Sequence, residues 1–406
     1  MAYIFNDKIK FEYTTNFDSF GRLRISEPLT LFDSSNRFRD NGQFATSLTG
    51  TATATFNTDE GLMDLTIGTG SGDEIIRESL RVFAYQPGKS LLTLMTFTMA
   101  PQQSNLVQRI GYFNDNGFYI EQDGTTINIV ERSSVTGAVL DNQIPQASWN
   151  VDPMDGSGPS GIVLDLTKSQ IFWCDFEWLG VGSVRTGFVI NGEFITCHVF
   201  HHANIITSTY ITTACLPIRY EIFNSGITLS GSTLKQICSS VISEGGYELR
   251  GEQYSVTTPI TSAYTMTTSG TYYPIVSIRL KSDKLDSIVI PTGISLLPNS
   301  AGNYSYKIAI GGVTSGGTWV TGTTDTSVEY NITGVSFSGG TDTLHGFFAQ
   351  SNQSSTSVNL SSNDVFQYQL KRNPFTSTAL EFTLLVTSNG NGDTVFGSLN
   401  WQEITS

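Results

Sequence analysis

Apolar residues along this chain recur at every second position in short runs, and each run ends at a cluster of Gly, Asn, Asp or Pro. That is the pattern of half-buried strands joined by tight turns, and it predicts an all-β chain of sandwiches or jelly rolls. Helical periodicity is nearly absent. The best stretch for it, DEIIRESLRVF (73–83), reads as strand equally well. Residues 109–134 predict three strands joined by two tight turns, because Asn-Asp-Asn-Gly and Asp-Gly supply the left-handed conformations that hairpin turns need. Residues 171–200 repeat the device at Asn191-Gly192. In the first of those strands alternation puts Phe172, Cys174, Phe176 and Trp178 on one face and Trp173, Asp175 and Glu177 on the other. The Gly/Pro-rich stretch 145–161 is too long for a tight connection and is expected to cross a sandwich edge.

The pattern divides the chain into three parts. Residues 1–40 are dense in charge and too poor in apolar residues for a core of their own, so they predict an N-terminal extended arm. Residues 41–254 predict a first β-sandwich, closed by a linker at 244–259. Residues 255–406 predict a second antiparallel β-sandwich. Its candidate strands are 272–281, 286–298, 304–312, 317–322, 327–334, 344–351, 364–372 and 379–388, with 394–404 closing the chain.

Composition narrows the function. Charged residues make up 14% of the chain, so its surface relies on Ser, Thr, Asn, Gln and Gly instead. Net charge is −14: residues 1–40 are neutral, residues 41–254 carry −11 and residues 255–406 carry −3. An acidic body without a basic track argues against nucleic acid and against anionic membrane surfaces. No apolar run is long enough to predict membrane insertion. The N-terminus shows no signal-peptide pattern, so Cys174, Cys197, Cys215 and Cys238 are expected to be reduced thiols.

Candidate chemistry is sparse. Asp175 and Glu177, two apart on a strand, would hold their Cα atoms about 6.6 Å apart beside Trp173. Such a pair is compatible with glycosidase chemistry, as is Glu121 with Asp123. The longer Glu-x-Asp-x-x-Glu pattern of retaining jelly-roll enzymes is absent, however, and solvent-facing acidic positions of an acidic domain are the plainer reading of both. Trp173, Asp175 and Glu177 also form a possible glycan face. Trp149, Trp319 and Trp401 are further candidates for stacking on sugar rings. Cys197, His198, His201 and His202 cluster in sequence, but strand alternation sends Cys197 and His198 to opposite faces. No nucleophile elbow and no phosphate-binding loop is present. The expectation is a non-enzymatic protein without a metal or other cofactor.

The stretch FDSFGRLRISEPLTLFDS (17–34) resembles the opening of virion structural proteins of tailed bacteriophages, especially marine and cyanobacterial myoviruses. EGGYELRG (244–251), the pattern ISLLP…GGTWV…VEYN (294–331) and LNWQEI (399–404) extend the resemblance into all three parts. The middle region separately looks like a concanavalin-type jelly roll, the architecture of lectin and laminin-G domains. The resemblance implies a virion component of the tail, baseplate, neck, fibre or capsid surface, made in the host cytoplasm. Its implied partners are other virion proteins and its own copies, in a trimer or ring. The alternative is a host-glycan adhesin or receptor-binding protein, with a jelly-roll glycosidase behind it.

FDSFGRLR (17–24) returns as FDSSNRFR (32–39), both fitting Phe-Asp-Ser-x-x-Arg-x-Arg. Asp-Ser favours a turn, and two arginines two apart on an extended segment would present forked cations to carboxylates. Phe17, Asp18, Arg22, Arg24, Phe32, Asp33, Arg37 and Arg39 are therefore the candidate assembly contact. A plain N-terminal hairpin with internally paired arginines would account for the same residues.

Overall fold

The computed structural model describes residues 2–5, 8–11, 27–322, 325–350, 356–359 and 365–405. Two of its sheets stack into a first sandwich. One runs in the order Leu140–Pro145, Thr126–Ser133, Gly117–Asp123, Leu106–Phe113, Ile218–Asn224, Glu74–Ser79, Phe44–Thr49. The other runs Glu193–Phe200, Val184–Ile190, Gln170–Phe176, Leu91–Thr98, Ser232–Ser243, Leu62–Ile67, Thr53–Asn57, and Leu29–Ser35 also pairs with Ser232–Ser243. Every pairing is antiparallel, as alternating sequences joined by hairpins require. The turn at Asn191 and Gly192 forms with φ of +55° and +84°, the left-handed pair expected there. Residues 74–79 are strand, so the local helical pattern yields to sheet pairing.

The inner faces supply one core. Phe172, Cys174 and Phe176 enter it from one sheet, and Tyr112, Phe118 and Tyr220 from the other. Trp149 and Met154, from the long stretch 145–161, fill its edge.

The N-terminal boundary needs correction. Leu29–Ser35 is a strand of the first sandwich, so the extended arm cannot reach residue 40. Leu31 and Phe32 are both buried, and Phe32 packs on Phe83 and Phe44. A register shift opposite Val241 and Ile242 breaks strict alternation here. Burying a Phe side chain contributes about 1.5–3 kcal/mol, so Phe32 serves the core and not an assembly contact. Phe17, Asp18, Arg22 and Arg24 lie outside the described residues.

The second sandwich pairs Glu252–Thr257, Asp393–Thr405, Ile288–Pro298 and Thr356–Asn359 in one sheet, with Tyr264–Met266 alongside Asp393–Thr405. Its other sheet runs Val328–Asn331, Tyr273–Leu280, Phe382–Ser388, Gly302–Ser315, Ser336–Gln350. The linker is consequently shorter than 244–259, because Glu252–Thr257 already belongs to this sandwich. Residues 317–322 contribute only an isolated bridge from Val320 to Tyr330. Residues 365–368 form a 3-10 turn and not the strand expected over 364–372.

That last segment joins the two sandwiches. The Arg372 N–H donates to Leu80 O at 2.9 Å, and Gln369 Nε2 donates to Val82 O at 2.9 Å. The Arg372 guanidinium then grips Glu78 at 2.6 Å, Asp286 at 2.9 Å and Ser79 O at 2.7 Å. Arg372 and Glu78 are each 3% exposed. Burial raises the Glu78 carboxyl above its usual range, against the pull of Arg372 and Arg219. Ile288 and Ile290 of the second sandwich enter the core of the first. The junction is therefore a packed interface, and the cavities along it have fixed walls.

Candidate binding sites at the domain junction

Residues 80–87 leave the strand Glu74–Ser79 and run along the junction. Ser79 Oγ donates to Arg81 O at 2.7 Å, and the Phe83 N–H donates to Leu216 O at 3.1 Å. Val82, Phe83 and Ala84 are buried between two cavities.

An aromatic groove of about 430 Å³ lies at the Tyr85 end, lined by Tyr85, Pro87, Trp178, Cys215, Tyr247 and Ile404, with Gln86, Glu248 and Arg250 supplying polar groups. Its rings are held from behind. The Trp178 N–H donates to Tyr85 Oη at 3.0 Å, and the indole Nε1–H donates to Ile211 O at 3.2 Å. Tyr85 stacks on Phe176 and meets Trp178 edge-on. The linker is clipped in place by a reciprocal pair: Gln86 Nε2 donates to Glu248 O, and the Glu248 N–H donates to Gln86 Oε1, both at 3.1 Å. Burial raises the phenols of Tyr85 and Tyr247 above their usual range, so both stay neutral donors. Trp178 and Tyr247 are half-buried and leave ring surface open to the groove. A second cavity of about 520 Å³, lined by residues 282–287, shares Thr213 and Cys215 with it.

A cationic cleft of about 630 Å³ lies at the other end of the segment. Arg39, Arg81 and Lys371 line it, with Asp33 and several amides and hydroxyls. Arg81 is 7% exposed and lies over Phe32 and Phe83. Burial lowers the Lys371 ammonium to about 8, and the repulsion of Arg81 adds to that effect.

The candidates from sequence are scattered. Trp173 is 3% exposed beneath Phe194, so it offers no stacking surface, and its indole N–H has no partner among the described residues. Asp175 is buried against Arg185, and burial raises its carboxyl above the usual range despite that partner. Glu177 is exposed and lies past the strand end at Phe176. The three therefore do not form one open face. Glu121 is buried and accepts hydrogen bonds from Arg109, Asn128 and Gln143, while Asp123 is exposed. Trp149 and Trp401 are also core, and Trp319 lies under Arg279 at 3.9 Å. Cys197 packs on Met154, whereas His202 donates Nδ1–H to Gly182 O at 2.6 Å and Nε2–H to Glu131 at 2.7 Å. No group of three metal-type ligands converges among the described residues.

Of the repeated motif, Asp33, Arg37 and Arg39 are exposed. Arg37 lies over the ring of Phe38, itself 84% exposed, and Arg39 turns to the cationic cleft. Trp178 and Tyr247 escaped the sequence reading. Alternation placed Trp178 inside, but Leu179 and Gly180 take left-handed φ of +38° and +79° and turn the chain just after it. Tyr247 lies within EGGYELRG, where no local pattern marks it as a groove wall.

No family model matches this chain, and no curated protein matches it in sequence. Among solved structures it is similar to the carbohydrate recognition domain of Emp47p, at 9% identity over 53% of this chain and 97% of that one, with a TM-score of 0.34. It is also similar to the legume lectin-like domain from Entamoeba histolytica, at 9% identity over 53% and 98%, with a TM-score of 0.33. A third is arcelin-5, a lectin-like defense protein from Phaseolus vulgaris, at 10% identity over 54% and 100%, with a TM-score of 0.32.

Proposed function

We propose that this chain is a non-enzymatic carbohydrate-binding protein whose ligand lies in the aromatic groove at the domain junction. The observation that carries this reading is the pairing of half-buried Trp178 and Tyr247 with the polar groups of Gln86, Glu248 and Arg250 in one cavity of ligand size. Aromatic rings cover the apolar C–H face of a sugar, and the polar rim meets its hydroxyls. A glycan panel on the full chain tests it: Trp178→Ala should abolish the binding seen with the parent, and equal binding by both proteins would reject the groove.

The exposed Arg37-Phe38 pair favours a second, compatible reading as a phage virion component. A guanidinium and a bare ring on one loop suit an acidic, partly apolar neighbour within a particle. Changing both residues to Ala should leave the fold intact and prevent incorporation into particles. Normal incorporation would remove this pair from the assembly contact.

A further inference from the structure

We propose that the cationic cleft is a second subsite of the same binding protein, which takes the carboxylate of an acidic saccharide. The proposal rests on the carbohydrate-binding reading above and names its ligand class: glycans that contain uronic acid. Three cations, Arg39, Arg81 and Lys371, meet here on a chain of net charge −14, and Asp33 is the one carboxylate among the described lining residues. Neither Arg39 nor Lys371 forms an ion pair among the described residues. The nearest partner of Lys371 Nζ is the neutral Gln43 Oε1, at 3.5 Å. Asp33 offsets the Arg81 charge, and the remaining positive charge of Arg39 and Lys371 costs free energy that a bound anion would recover.

The neutral groups decide the ligand class. Asn41, Gln43 and Gln367 line the same cleft and can donate to and accept from hydroxyls. A guanidinium fork and an ammonium suit a carboxylate, and amides around it suit the ring that carries it. A nucleic acid would need a basic track, which the acidic surface does not provide. The cleft takes one wall, Lys371, Tyr368 and Ile310, from the second sandwich and the other, Leu80 and Arg81, from the first. Only the docked molecule contains the complete subsite.

The test uses the full chain with oligomers of galacturonate, glucuronate and mannuronate and the methyl ester of each, which keeps the rings and removes the charge. Calorimetric titration should show an acid form binding about tenfold or more tighter than its ester, the size expected for a charge-assisted contact. Lys371→Gln, and separately the exposed Arg39→Gln, should lower acid binding toward the level of the ester and so erase that preference. Acid and ester binding equally, or a preference that survives both substitutions, would overturn the subsite and leave the carbohydrate reading standing. Binding of neutral glycans with none of the three acids would do the same. Failure of every saccharide, acidic and neutral, would overturn both. Inorganic sulfate binding at Lys371 without any uronate binding would show a plain anion site and reject the saccharide.

Discussion

The groove at Trp178 and the cleft at Lys371 are both walled by residues 80–87 on one side and by the second sandwich on the other. Yet the first is lined by aromatic rings and the second by cations and amides. The same strip of chain serves both because its middle, Val82 to Ala84, is anchored in the core while its ends stay at the surface. Neither cavity is complete within one sandwich: Ile404 closes the groove, and Lys371 with Tyr368 closes the cleft. Docking of the domains is thus the step that completes both cavities. A buried arginine, Arg372, therefore bears on both cavities without lining either.

The largest expected effect comes from undoing that docking. Arg372→Ala leaves buried Glu78 with Arg219, at 3.3 Å, in place of its closer pair at 2.6 Å, and breaking a buried ion pair costs up to about 3–5 kcal/mol. Chemical denaturation should register that loss, and ligand binding at both cavities should fall together. Loss at one cavity alone would show that they do not depend on a common interface.

A smaller effect separates the two cavities by pH. Arg39, Arg81, Asp33 and Tyr368 line the cleft with Lys371, which burial and the Arg81 charge hold at about 8 in the free protein. Lys371 is charged below that pH and neutral above it. Uronate affinity should therefore be greatest below pH 8 and decline as pH rises through it, whereas neutral-ester affinity should stay flat. Titration at pH 7 and pH 9 checks the sign. A parallel decline for both ligands would detach Lys371 from acid recognition.

Trp178→Phe should be milder than Trp178→Ala, because a ring remains but the bond to Ile211 O is lost. A several-fold weakening of acid and ester alike, on the order of 1 kcal/mol, would place Trp178 in contact with the sugar ring and not its charge. Weakening confined to the acid form would contradict that division.

The smallest effect lies away from both cavities and serves as a reference. Burial disfavours the His202 imidazolium, but its bonds to Glu131 and Gly182 O outweigh this and raise its pKa above the usual 6.5. A group with a raised folded pKa contributes stability that is fully present below its unfolded value and is lost as pH rises through the folded one. Stability should thus decline from about pH 6.5 upward in the parent. His202→Gln should flatten that slope without altering ligand preference. An unchanged slope would assign the pH dependence to another group.

The sequence made the sandwiches legible wherever alternation and turn chemistry agreed, as at Asn191-Gly192 and along Phe172, Cys174 and Phe176. It misled where tertiary contacts overrode local pattern. Phe32 reads as part of an arm until pairing with Ser232–Ser243 draws it into the core. The stretch 364–372 alternates like a strand, yet residues 369–372 serve as the strap between domains. The candidate sites were least legible, because each is assembled from segments far apart in sequence: Tyr85, Trp178 and Tyr247 for one, Arg39, Arg81 and Lys371 for the other. No local spacing encodes such a meeting. Of the four arginines in the repeated motif, Arg37 and Arg39 are among the described residues, and Arg39 lines a cavity.

Hydrogen exchange across the junction tests the central claim most directly. With a bound glycan from the panel, amides of residues 84–88 and 244–250 should exchange more slowly than in the free chain, with residues 369–372 joining them when the ligand carries a uronate. Protection centred on the outer sheet face around Phe194, with the junction segments unchanged, would contradict the account.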